Sequence, residues 1–458
     1  MANTKLNRTA GSTGNRRTWT WSGWVKRCHD STGTDPKGGL FATYTDGNNR
    51  LDFGIDANDK FFFKEKQSST NIDFTSTAVF RDLSAWYHFV VAVDTTQATQ
   101  SNRVKIYVNG SQITAWVDDT YPSQNYDTLM NVSGRTYLIG TTDGSSNYWN
   151  GLMSHVHLAD GTQYAASTFG STNANGEWEI NTSPTFTPGT NGFTVLKDGS
   201  TITDQSANSN NFTLGGGTLT NTEDCPSNNF ATGNASYFTN AAWTTDLSNG
   251  NNTFTGHTGS NSYPMVASTL AATGGKFYAE FKVTSSSQNY YVGVATPEAV
   301  SGTAINAHYP NWDNEGGTQA HAYSYYGADG QKYVKTSGGA TSASAYGSSS
   351  SQNDILGVAL DLDNNNLYIH KNGTYFNSGV PTSGSTGTGA ISVVAHDYLL
   401  FMSDGGGGSD ASGTANFGNG FFATTAISSE GTNASGVGKF EYDVPAGYTA
   451  LSTKGLNL

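Results

Sequence analysis

Carboxylates at short spacing are the residues most able to do chemistry in this chain. Asp361-Leu362-Asp363-Asn364-Asn365 begins like a calcium-binding loop, with acids at alternate positions. The glycine such a loop needs at its sharp turn is Asn366, and its closing acid is Asn372. A hairpin turn is therefore expected there. Glycoside cleavage needs two carboxyl groups flanking one bond. Glu177-Trp178-Glu179 and Glu441-Tyr442-Asp443 each put two acids on one strand face but have no third acid to extend the pattern. None of the nine histidines is followed by Glu, which excludes a His-Glu-x-x-His zinc site. Neither Gly-Lys pair, at 275–276 or 438–439, continues into a phosphate-binding loop, and the Gly405–Gly408 run reads as a plain loop.

Weaker candidates are His155 and His157, which share a strand face, and Asp143 and Asp160, each followed by Gly. Two histidines without a nearby thiolate or carboxylate make a poor metal site, so a polar strand face is expected. Asp-Gly is foremost a turn signal. No cofactor is implied, and no specific motif supports a structural calcium ion.

Aromatic side chains make the better case for contact with a ligand or partner. Trp24, Trp312, Asp313, Tyr323 and Tyr325 are the candidate contact residues. Aromatic faces stack on sugars or partner side chains, and a flanking carboxylate accepts hydrogen bonds from hydroxyls. Trp19 and Trp21 share strand parity and are expected in the core. Trp24 points to the other face unless Gly23 introduces a bulge.

The elements that position these residues are strands. Thr18–Lys26 and Lys276–Val283 each open a series of segments alternating apolar and polar residues, the period of a half-buried strand. Turn clusters such as Asp46-Gly47-Asn48-Asn49 and Asp56-Ala57-Asn58-Asp59 separate strands at roughly ten-residue intervals, the spacing of a sandwich. Asn109-Gly110 is a type I′ hairpin signal. The 458 residues suit two sandwiches better than one core. Only 13% are charged, yet 12% are aromatic, so the low charge does not mean disorder.

The formal net charge of −13 argues against nucleic acid or anionic membranes as partners. No apolar run is long enough for a membrane helix, and Met1–Lys5 lacks the apolar core of a secretory signal. Two cysteines, Cys28 and Cys225, are too few for a disulfide framework.

Taken in order, SGWVKR, AWYHFVVAVD, VKIYVNG, YLIGTTDG and GLMSHVHLADG resemble the laminin-G/concanavalin A-like jelly roll, specifically versions carried by tailed phages of marine bacteria. Asp204–Thr213 resembles the return segment of those proteins. GGKFYAEFKV, YYVGVAT, DILGVALDLDNNNLYIHKNG and YLLFMSD resemble a SPRY domain, a second sandwich whose relatives bind proteins through loops. The closing segment from Phe417 to Leu451 resembles the end of phage fusions of the two modules. Glucanases also occur on concanavalin-like folds, but their Glu-x-Asp-x-x-Glu strand motif is incomplete in this chain.

The resulting expectation is an all-β protein of two tandem antiparallel jelly-roll sandwiches, 1–222 and 263–458, joined by a connector at 223–262 with anchoring aromatics at Phe230, Trp243 and Phe254. The expected role is non-enzymatic, at a phage virion surface as head decoration or as part of a fibre or tail appendage, after synthesis in the host bacterial cytoplasm. Its expected partners are other phage structural proteins, host surface glycans and further copies of itself. The rival readings are a polysaccharide depolymerase and a free secreted lectin.

Overall fold

Period-two alternation over most of the chain becomes antiparallel ladder in the computed structural model, which describes residues 3–28, 38–197, 201–235, 247–256, 265–300, 320–336, 341–405 and 410–458. Two compact units divide it, Met1–Asn221 and Thr222–Leu458.

In the first unit the strands are β1 Lys5–Thr9, β2 Thr18–Arg27, β3 Gly38–Asp46, β4 Asn49–Ile55, β5 Lys60–Gln67, β6 Ser69–Val79, β7 Trp86–Asp94 and β8 Val104–Val108. There follow β9 Ser111–Gln112, β10 Trp116–Thr120, β11 Thr136–Ile139, β12 Gly151–Asp160, β13 Gly170–Thr172, β14 Trp178–Ile180, β15 Phe193–Val195 and β16 Thr213–Gly216. Among the described residues they form an eight-stranded sheet, β10-β6-β5-β4-β3-β11-β1-β16, and a six-stranded one, β15-β12-β2-β7-β8-β9. The β13–β14 hairpin belongs to neither sheet.

Inward residues of the two sheets meet in an aromatic core. Trp19 meets Phe63 edge-on at 6.0 Å and Trp21 meets Phe53 at 4.9 Å. Such pairs contribute about 0.5–1.5 kcal/mol each beyond the area they bury. The β8–β9 hairpin turns through Asn109 (φ 44°) and Gly110 (φ 79°), the two positive values a type I′ turn requires. Asn109 Oδ1 also accepts the backbone N–H of His88 at 2.8 Å, so the turn is tied to the neighbouring strand.

In the second unit the strands are β17 Leu247–Ser248, β18 Thr253–Phe254, β19 Met265–Ala267, β20 Lys276–Val283, β21 Tyr290–Ala295, β22 Ala322–Tyr326 and β23 Gln331–Lys335. They continue as β24 Ser342–Ala345, β25 Ile355–Asp361, β26 Asn366–Lys371, β27 Thr374–Tyr375, β28 Ile391–Ser392, β29 Leu399–Asp404 and β30 Gly413–Asn416. One sheet has the path β17-β18-β30-β20-β25-β26-β27 and the other β19-β29-β21-β22-β23-β24. Among the described residues the one α-helix is Pro297–Val300.

Where it is described, the stretch expected as a connector is part of this second fold. β18 pairs with β30, Phe230 bridges Ser452, and the Phe230 ring packs with Tyr278 and Tyr448. Its aromatics find apolar cover there, which a free tether would not supply. Trp243 lies outside the described residues. No disulfide joins Cys28, which is buried, to Cys225, which is half-buried.

Candidate binding faces

The acids that could have formed a catalytic or cation site are engaged by donors of the protein itself. Asp361 accepts the N–H and side-chain amide of Asn364 at 3.0 and 2.8 Å and pairs with Lys276 Nζ at 3.0 Å. This is the expected hairpin turn, closed at Asp361–Asn366. Asp160 is a buried hub, accepting from Asn15 N at 2.7 Å, Asn131 Nδ2 at 2.9 Å and Asn191 N at 2.9 Å. Burial pushes its carboxyl up in spite of those donors. Asp143 caps its own turn through the N–H groups of Ser145 and Ser146. Carboxylates facing N–H groups are not presented to a cation. Among the described residues no group of three or more His, Cys, Asp or Glu could hold a metal ion.

The two acid pairs are equally occupied, and Glu441–Asp443 lies in a bend, not on the expected strand. Asn173 Nδ2 donates to both Glu177 and Glu179 at 2.9 Å. Glu441 takes the N–H and hydroxyl of Ser428, and Asp443 those of Thr432. The backbone of the latter pair does more than its carboxylates. The N–H groups of Glu441 and Tyr442 donate to buried Glu280 at 2.9 and 2.8 Å.

Trp24 lies on the outer face of β2. That strand pairs with β7 in unbroken register from Thr18–Asp94 to Lys26–Trp86, so Gly23 introduces no bulge between them. The ring is only 4% exposed and stacks on His88 at 4.8 Å, with 17° between the planes. His88 in turn stacks on Trp178 of β14 at 6.0 Å. Trp24 is therefore an interior residue, not an open contact.

The layer beside it corrects the expectation of a polar strand face. His155 and His157 are 8% and 2% exposed. His157 stacks on Phe169 at 5.5 Å and its Nδ1 hydrogen-bonds Thr194 Oγ1 at 2.9 Å. The β12–β2 register shifts between Ser154 and His157, and His155 has φ 49°. The segment carrying Ala166, Phe169, Trp178 and Phe186 covers this face and makes a second small core with Val90 and Ala92. Sequence reasoning passed over His88. Its signal was a polar residue flanked by aromatics in Trp86-Tyr87-His88-Phe89.

In the second unit, Tyr323 and Tyr325 are 1% and 0% exposed. Tyr323 accepts the N–H of Val394 at 3.1 Å, and Tyr325 donates to Ser348 O at 2.7 Å while stacking on Phe376 at 4.8 Å. Both face the core side of β22, so their phenols serve packing. Trp312 and Asp313 lie outside the described residues.

The opposite side of the same strands carries the more accessible aromatics. Tyr326 and Tyr333 are half-buried and gather with Tyr291: Tyr291–Tyr326 stack at 4.6 Å, and Tyr333 meets the two edge-on at 5.3 and 5.5 Å. Tyr326 donates to Asn289 Oδ1 at 2.7 Å, and Tyr333 reaches exposed Asp329 at 3.4 Å. Next to them β24, Ser342-Ala343-Ser344-Ala345, is an exposed edge strand of small uncharged residues.

Comparison with known proteins agrees with this architecture. Residues 3–167 match the family model described as the concanavalin A-like lectin/glucanases superfamily. Residues 276–391 match the SPRY domain. The chain thus carries an N-terminal concanavalin-like laminin-G domain and a C-terminal SPRY domain, modules of lectin-like or protein-interaction type. It is 29% identical over 104 residues to Ran-binding protein 9 of Danio rerio, a match that covers 23% of this chain and 15% of that protein. The chain therefore spans a small part of the length of its curated relatives.

Among solved structures, the SPRY domain of human HERC1 is 12% identical, with 34% of this chain and 84% of that one covered and a TM-score of 0.24. Domains LG4-5 of the mouse laminin α1 chain are 8% identical, with 97% and 92% covered and a TM-score of 0.28. At such scores the likeness carries no argument.

Proposed function

We propose that this protein is a non-enzymatic adhesion and assembly protein of a phage virion surface, a head decoration or part of a fibre or tail appendage. In this reading the second unit makes contact through the Tyr326–Tyr333 face. The observation that carries the binding role is that cluster: half-buried phenols on the outside of a sheet, flanked by the amide of Asn289 and the carboxylate of Asp329. Stacked rings with polar groups at their margin suit the apolar face and the hydroxyls of a sugar. The engagement of Asp361, Glu177, Glu179, Glu441 and Asp443 in turns supports a binding role over a hydrolytic one. Phage placement draws its support from the order of the two modules and the closing segment.

Two measurements test these claims separately. On a glycan array of bacterial envelope polysaccharides, the wild-type chain should bind, and Y326A/Y333A should lose about tenfold in affinity, since each stacked aromatic contributes about 0.5–1.5 kcal/mol and about 1.4 kcal/mol is tenfold. Equal binding by the variant would remove the face from the proposal. Mass spectrometry of purified virions should find the chain in stoichiometric amount, and its absence would refute the location. Release of reducing ends from the same polysaccharides would favour the depolymerase.

A further inference from the structure

The β13–β14 hairpin stands apart from both sheets of the first unit and lies against the outer face of β2, β7 and β12. It is seated by the Trp178 indole, which fits over glycines. A Cβ on Gly110 would lie 2.4 Å from that ring, and one on Gly170 would lie 2.6 Å from it. The hydrogen bond that joins hairpin to sheet runs from Trp178 Nε1 to His88 Nδ1 at 3.0 Å. We propose that this hairpin is an acid-released cover and that the Trp178–His88 hydrogen bond is its latch.

The argument follows from which atoms can donate. An indole nitrogen only donates, so His88 Nδ1 must be the bare acceptor nitrogen. The ring proton then sits on Nε2 and is donated to Ser22 Oγ at 2.8 Å. A second proton can be added only at Nδ1, where it would face the indole N–H. Two donors cannot share that contact, so protonation and the closed latch exclude each other.

Among the described residues His88 is hydrogen-bonded to Ser22 and Trp178, neither of them an acid. Of the groups turned to this face, Lys26 of β2, Lys105 of β8, His155 and His157 of β12, and neighbouring Lys197 are basic, whereas Tyr107 and Tyr164 are neutral phenols. Glu177 and Glu179 flank Trp178 at alternating positions of the hairpin and accept from Asn173. Asp94 shares the face at the far end of β7, its carboxylate engaged by Thr96 and Gln97. Burial pushes His88 down from 6.5 to about 3, and His157 well down for the same reason. Between those two values acid favours the open hairpin. Opening would uncover the Trp24, His88 and Phe169 rings.

Hydrogen exchange read by mass spectrometry on the full chain, corrected for intrinsic rates, tests this from about pH 7 to pH 4. Peptides spanning 165–182 should lose protection by up to about tenfold per pH unit for the His88 proton and exchange well ahead of β2 and β7 peptides, which open only with the whole unit. H88Q, which keeps an acceptor but cannot take up the proton, should show a shallower slope, with the remainder belonging to His157 under the same cover. Equal slopes in wild type and H88Q, loss of protection in all peptides together, or full protection down to the lowest pH would each overturn the latch. If H88Q does not fold, W178F retains the ring without its donor. It should be less protected at neutral pH and respond less steeply to acid, and a wild-type slope in W178F would refute the proposal.

Discussion

Each unit buries a histidine whose Nδ1 accepts an N–H, and the two differ in what holds the donor. In the second unit the donor is the backbone N–H of Gly373, in the turn that follows His370 itself, at 3.1 Å. Nε2 of His370 then donates to Tyr278 at 2.6 Å, and the Tyr278 hydroxyl donates to Glu280 at 3.1 Å. Glu280 also receives the N–H groups of Glu441 and Tyr442, which fastens the closing segment to β20. Every member of that chain is anchored by ladder or turn. In the first unit the donor is a side chain on a hairpin outside both sheets. The same histidine chemistry is structural where neighbouring hydrogen bonds hold the donor, and conditional where it does not.

The largest expected difference concerns the buried glutamates. Glu65 accepts from Gln67 and Tyr126 side chains and from Leu129 N, and its Oε2 has no partner in the structure. Glu280 accepts from two backbone N–H groups, a phenol and Asn416. E280A leaves more buried donors unpaired, so it should destabilise the second unit by about 3 kcal/mol, against about 2 kcal/mol for E65A in the first, by denaturant unfolding. The reverse order would break the comparison.

Acid tests the same buried groups next. Burial raises both glutamates from 4.5 to about 7 and lowers His88 and His370 from 6.5 to about 3. A raised carboxyl stabilises the fold below about pH 4.5 and loses that contribution as pH rises toward 7. A lowered histidine stabilises above about 6.5 and loses that as pH falls toward 3. Between 4.5 and 6.5 the two terms oppose each other in both units: His88 and His157 are set against Glu65 and the raised Asp160 in the first, and His370 and the lowered His321 against Glu280 in the second. One uncompensated proton amounts to about 1.4 kcal/mol per pH unit, so by calorimetry E65Q and E280Q should each steepen the acid loss of its own unit by about that much through this range. Unchanged slopes would contradict the assignment.

The smallest effects should come from a turn the two units share. Asn109 and Asn372 each open an Asn-Gly hairpin at positive φ, 44° and 51°. Each also accepts a backbone N–H from the adjacent strand, His88 N and Ile355 N, both at 2.8 Å. N109A and N372A should each cost about 1 kcal/mol, measured by thermal unfolding. In the first unit the loss should also loosen the hairpin over Gly110, because this turn forms the Trp178 seat.

Strand positions, the turn at Asn109-Gly110 and the two-sandwich class were legible because they depend on local rules, namely alternation and turn chemistry. Candidate contacts were read less well. Parity placed Trp24 correctly on the outer face but could not show that residues 166–186 return to cover it. Tyr323 and Tyr325 look the same as Tyr326 in sequence, yet alternation sends them inward and Tyr326 outward.

What the residues determined alone is the set of pleated segments, their hairpins and the lack of a recognisable catalytic motif, since neighbours along the chain decide each of these. Which polar groups would be buried together was settled by packing. His88 meets Trp178 across 90 residues and Glu280 meets Tyr442 across 162. Contacts at that separation leave no periodic trace in sequence, because they form only when sheets and covering segments close over one another.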